Sequence, residues 1–149
     1  MTATMTEIES LSLKINQEIR VRASLETTFA ALLEELGPGS ELPDGKPMKM
    51  ILEAWPGGRW YRDLGEDNGH CWGTVQAIKR PTLLEFAGPI FASFPLVNNV
   101  QYRLKEVDGG TLIVFRHTAL GLLTDEHKAE MPKGWAAMHD HVKRYAEAG

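Results

Sequence analysis

Few side chains in this sequence carry reaction chemistry, and their spacing limits what they can do. The five histidines are His70, His117, His127, His139 and His141. His139 and His141 stand two apart, so a helix of 3.6 residues per turn separates them by about 200° and they cannot share a metal from one face. None of the five has a recognised zinc-ligand spacing, and neither a metal nor a cofactor is expected. His117 follows Phe115 at period two in a run that reads as a strand, so both point the same way. An inward His117 is the one catalytic candidate, a base near neutral pH. The alternative is a core histidine satisfied by a backbone carbonyl or a carboxylate.

The stretch EAWPGGRWYRD gathers Glu53, Arg59, Arg62 and Asp63 around two tryptophans. Arg62 beside Trp60 could fix an acidic ligand head group. The same four charges could instead be cross-strand ion pairs worth a few tenths to about 1 kcal/mol. No G-x-S-x-G elbow is present. Gly57-Gly58 and Gly109-Gly110 read as turn glycines, since neither joins a strand to a helix as a phosphate loop does. Asp125-Glu126 reads as a helix-start charge pair. Cys71 is the single cysteine, which excludes an internal disulfide and fits a reducing compartment.

The 149 residues suit one domain, and 43% hydrophobic with 24% charged residues is an ordinary globular composition. The net charge of −4 comes from scattered groups, so nucleic acid is not an expected partner. The start, MTATMTEIES, lacks the basic and apolar runs of a signal peptide, and no apolar window reaches membrane-helix length. A cytoplasmic location is expected, with no membrane insertion.

The elements that must position these residues follow from periodicity. Residues 1–12 are polar and expected to be flexible. LKINQEIRVR alternates at period two with one miss at Gln17, which predicts a strand. Ser24 caps a helix carrying Leu25, Phe29, Leu32, Leu33 and Leu36, ended by Gly37-Pro38-Gly39. Residues 37–47 read as a loop. Strands are expected over 48–55, 59–64, 70–79, 82–87, 96–107 and 111–119, joined by short breaks that include Pro56-Gly57-Gly58 and Asp108-Gly109-Gly110. A short helix is expected at 125–129, interrupted by Pro132. A second, amphipathic helix begins at Lys133 with Trp135, Met138, Val142 and Tyr145 on its apolar stripe and His139, Asp140, Lys143 and Arg144 on the other side. Strands joined by short turns pair antiparallel, and helices outside such a run give an α+β domain.

Alternation assigns faces. Trp60, Arg62 and Leu64 share one, as do Trp72, Thr74, Gln76 and Ile78. Leu84 with Phe86, Val100 with Tyr102 and Leu104, and Ile113 with Phe115 and His117 make similar sets. Trp60 and Trp55 are expected as sheet residues beside the long helix.

Several segments, in order, resemble one superfamily. ASLETTFAAL resembles the A-S-P-E-x-V-F-x-A-L opening of SRPBCC domains, the START and birch-pollen-allergen-like group, with Leu25 at the usual proline. EAWPGGRW is similar to its GG-R-aromatic hairpin and GTVQAIKRPTLLEF to G-x-V-x-x-x-x-P-x-x-L-x-F. GGTLIVFRHTAL and GWAAMHDHVKRY resemble its last strand and closing helix. The branch most resembled is the family named after the activator of the heat-shock protein 90 ATPase, in its stand-alone bacterial style. The resemblance implies a helix-grip fold over residues 13–149: a curved antiparallel sheet of about six to seven strands around a long C-terminal helix, with short helices after the first strand. Such folds often hold an apolar cavity between sheet and helix. Residues 37–47 depart from relatives that carry a second helix there.

The function expected is binding of a small hydrophobic ligand, lipid-like or aromatic and polyketide-like. The expected site residues are Trp60, Arg62, Trp72, Phe86, Tyr102, Phe115, His117, Trp135 and Met138. The alternatives are a cyclase- or hydrolase-type enzyme using His117, and a co-chaperone-like interaction module. A homodimer stays open as an assembly.

Overall fold

A computed structural model describes residues 5–149 of the chain. Residues 1–4, the beginning of the segment expected to be flexible, lie outside the described residues. Met5–Ser10 forms a short helix, α1, and the chain then enters β1, Ser12–Val21. The helix α2 spans Leu25–Leu36, and the Ser24 side chain accepts from the Thr27 backbone N–H at its start. After it come β2 (Met50–Leu52), β3 (Arg59–Gly65), β4 (Asn68–Lys79), β5 (Leu83–Gly88), β6 (Leu96–Val107) and β7 (Gly110–Gly121). The closing helix, α3, runs from Asp125 to Ala148.

The seven strands form one antiparallel sheet in the order β1-β7-β6-β5-β4-β3-β2. From β2 to β7 every neighbour in space is a neighbour in sequence, as short turns dictate. The first strand joins last, against β7, pairing Ser12 with Leu120 and Val21 with Thr111. This is the α+β helix-grip architecture, with a single short helix between β1 and β2. The segment from Gly37 to Lys49 carries turns and an isolated bridge from Glu41 to Pro47.

Alternation holds cleanly in β5, β6 and β7. Leu84, Phe86, Val100, Tyr102, Ile113, Phe115 and His117 are all fully buried on the inner face. It fails in β4, where the register slips twice. Trp60 pairs with Gly73 and Tyr61 with Cys71, leaving Trp72 as an extra residue; Val75 pairs with Phe86 and Ala77 with Glu85, leaving Gln76 extra. Each bulge moves the following residues to the opposite face. Trp72, Thr74, Gln76 and Ile78 therefore do not share a side: Val75 is buried, Thr74 and Gln76 are exposed, and Trp72 packs on the core.

Three further expectations are corrected. β2 is only three residues long, and Trp55 sits outside it, 57% exposed in the turn. That turn is held by Glu53, which accepts from Arg59 Nε and Nη2 at 2.8 Å each, while Gly57 takes φ +81°. Second, α3 is continuous through Pro132. Proline there forfeits one i→i−4 bond, a loss of about 3 kcal/mol in an isolated helix, and the packing of the helix against the sheet outweighs it. Third, the buried stripe of α3 is Met131, Trp135, His139, Val142 and Ala146, whereas Tyr145 is exposed.

Truncating Phe115 to alanine should cost about 3–5 kcal/mol of stability in urea unfolding, because its ring touches the sheet and α3 together. Val97→Ala, on the outer face, should stay within about 0.5 kcal/mol of wild type.

Candidate functional site

The space between sheet and helix is mostly filled. Two buried polar chains cross it. In the first, Trp135 Nε1–H donates to His117 Nδ1 at 2.9 Å, so the proton on His117 sits at Nε2 and is donated to Asn98 Oδ1 at 2.7 Å. Asn98 Nδ2 donates to the Gly88 carbonyl at 3.0 Å. In the second, His139 Nδ1–H donates to Gln17 Oε1 at 2.8 Å, and Tyr102 Oη–H donates to His139 Nε2 at 2.8 Å. Gln17 Nε2 donates in turn to the Pro132 carbonyl at 3.0 Å. The Trp135 indole lies stacked on His139 and edge-on to His117.

Both imidazoles are neutral, in opposite tautomers, and every ring nitrogen is engaged. Burial lowers the pKa of each from 6.5 to about 4 and raises that of Tyr102. His117 points inward as its strand position requires, but neither of its nitrogens is free to act as a base.

The open space lies at one end, between α3, the 40–50 loop, β3–β4 and the 88–95 loop. It is a cavity of about 660 Å³. Its tryptophans are Trp60, Trp72 and Trp135, and its methionines Met48, Met50, Met131 and Met138. Trp60 is anchored by Nε1–H donating to the Leu36 carbonyl at 2.7 Å, one of the carbonyls a helix end leaves unpaired. Trp72 meets Trp60 edge-on at 5.1 Å and Phe91 at 5.7 Å. Gly134 also faces the cavity, with no atom within 4 Å of where its Cβ would be. The mouth is polar: Glu35, Ser40, Glu41, His127, Glu130 and His141. His141 Nδ1 lies 4.0 Å from Glu35 Oε2, and burial raises the Glu35 pKa.

Of the expected site residues, Trp60, Trp72, Trp135 and Met138 line the cavity. Phe86, Tyr102, Phe115 and His117 lie beneath in the filled core. Arg62 is not among the residues that line it, although β3 is regular there and Arg62, opposite Met50, keeps the tryptophan's side of the strand. Sequence reasoning missed Glu35, His141, His139 and the methionines Met48, Met50 and Met131. His139 had a signal in Gln17, whose break in the β1 alternation marks the polar side chain that reaches inward to meet it. Among the described residues no cluster of metal-ligating side chains occurs, and no helix is long and apolar enough to cross a membrane.

Folding should be pH-sensitive through the two histidines. The unfolded chain protonates them below about pH 6.5 and the folded one only near pH 4. Stability is therefore full above pH 6.5 and falls as the pH drops to about 4, by on the order of 3 kcal/mol per histidine. Urea midpoints across that range check this; a flat profile would contradict it. Tyr102→Phe should cost about 1–3 kcal/mol at neutral pH by orphaning His139 Nε2 in the core.

Comparison with known proteins gives a consistent pattern. The family model described as Activator of Hsp90 ATPase homolog 1-like protein matches residues 22–147. No curated protein matches the chain. Among solved structures, an uncharacterised protein from Rhizobium leguminosarum is similar at TM-score 0.72 and 14% identity, over 93% of this chain and 96% of that one. The Aha1 dimer from Colwellia psychrerythraea gives 0.66 and 18%, over 91% and 96%. The di-domain ARO/CYC StfQ from the steffimycin biosynthetic pathway gives 0.67 and 12%, over 96% of this chain and 52% of that one.

Proposed function

The chain belongs to the family of Activator of Hsp90 ATPase homolog 1-like proteins, and from that membership together with its cavity we propose that it binds a small, largely apolar molecule. One observation carries the reading: a space of about 660 Å³ whose lining is mostly apolar and includes three tryptophans and four methionines. That volume lies within the ~300–1,000 Å³ of ordinary ligand pockets. Methionine and aromatic walls adapt to varied apolar shapes, and affinity would come from burial at roughly 25 cal/mol per Å² before the costs of association.

Gly134 supports the same reading. Glycine inside a helix costs about 1 kcal/mol relative to alanine, and here it leaves space at the cavity wall.

A second reading is an enzyme of the cyclase or hydrolase type. Glu35 and His141, a partly buried carboxylate and an imidazole converging at the mouth, favour it. It moves the acid–base role from His117 to this pair. If a substrate is turned over and Glu35→Gln turns it over equally well, that role is lost. The co-chaperone-like reading has only the family name behind it.

A hydrophobic fluorescent dye should bind saturably at one site per chain. Gly134→Leu should weaken it by about tenfold while raising helix stability by up to about 1 kcal/mol. Non-saturable dye binding, or full affinity in Gly134→Leu, would count against the cavity as a ligand site.

A further inference from the structure

The cavity has a polarity that narrows the ligand class. Its walls are uncharged, and its mouth carries the carboxylates Glu35, Glu41 and Glu130 with no lysine or arginine among the lining residues. The other titratable groups at the mouth are His127 and His141. His127 Nδ1 lies 2.7 Å from Thr124 Oγ1.

Three basic side chains close by in sequence are paired with acids, whereas Lys128 donates to the Ser10 carbonyl at 2.7 Å and Lys49 is exposed. Lys46 lies 3.9 Å from Asp44, Arg144 Nε lies 2.9 Å from Asp140, and Lys133 lies 3.6 Å from Glu130. The Lys133 pair is exposed at both ends, so it shields Glu130 only weakly. Glu35 is the most constrained of the three acids. Burial disfavours its charge, His141 and Arg144 favour it, and Glu41 and Glu34 repel it.

An anionic head group at this mouth would add to that repulsion. A cation would relieve it. The indole faces behind the mouth act in the same direction, because their ring quadrupoles attract positive charge within about 6 Å. The polarizable methionine sulfurs also suit a large soft cation.

Resting on the reading of the cavity as a ligand site, we propose that its ligand is a lipophilic cation. Its apolar body lies against Trp60, Trp72 and Trp135, and its basic or quaternary nitrogen sits at the mouth among Glu35, Glu41 and Glu130. The same charge arrangement selects against fatty acids.

The test compares decyltrimethylammonium, decanol and decanoate, one tail with three heads. Each is titrated below its micelle concentration while tryptophan fluorescence is followed. The titrations are run at about pH 8. The cation should bind about tenfold or more tighter than decanoate, and the gap should shrink at high salt. The double variant Glu41→Gln/Glu130→Gln, at two exposed positions, should narrow the gap severalfold without changing decanol affinity. Equal affinities, a preference for decanoate, or a preference that survives the double variant would overturn the cationic assignment and leave the cavity reading standing. Failure of all three to bind would overturn both.

Discussion

The seating of Trp135 over two neutral imidazoles is the constraint on which the rest of the molecule depends. A helix lying on an apolar sheet can slide or roll at small cost, because dispersion and burial are not directional. Hydrogen bonds are. Trp135 donates to His117 on β7, and His139 is held by Gln17 on β1 and Tyr102 on β6. Those contacts fix α3 along its axis and about it. Each buried nitrogen and oxygen in the two chains has a partner, so the polar groups set the position of the helix without being left unsatisfied. With α3 fixed, Met131, Gly134, Trp135 and Met138 face the open end of the sheet and His141 meets Glu35 at its mouth.

The cavity follows from what the rest of the chain does not fill. Residues 37–49 turn back on themselves through Gly39, Pro43, Gly45 and Pro47, and pack as a loop. A loop of this composition covers less of the sheet than a helix would. Trp60 and Trp72 consequently have indole surface facing space where β5 to β7 have side chains interdigitated. The aromatic face is thus core over one half of the sheet and a cavity wall over the other, although both halves have the same kind of residues.

How much of this the sequence made legible depended on whether a pattern was local. Hairpin order, the α2 cap at Ser24 and the inner faces of β5, β6 and β7 follow from period and turn residues alone. The β4 faces did not, because a bulge is a mismatch between two strands and leaves no mark within one of them. His139 looked like a polar-face residue because a helix pattern sorts by residue type, and a histidine with two partners waiting in the core breaks that sorting. Pro132 ought to stop a helix, and tertiary contact overrode it. Trp55 was misplaced because β2 ends at Leu52 and the turn that follows has no alternation to guide a reading.

The strand order also bears on how the chain reaches this state. β2 to β7 can zip through successive hairpins, each closing a short loop. β1, made before them, has no lasting partner until β7 and α3 exist, since Ser12 pairs with Leu120 and the Arg22 backbone N–H donates to the Glu147 carboxylate. Closing so long a loop comes late and slowly. During synthesis the first strand therefore waits on the ribosome with its edge unpaired, and the polar residues Lys14, Asn16, Glu18 and Arg20 along it are what keep that waiting edge from pairing with another chain.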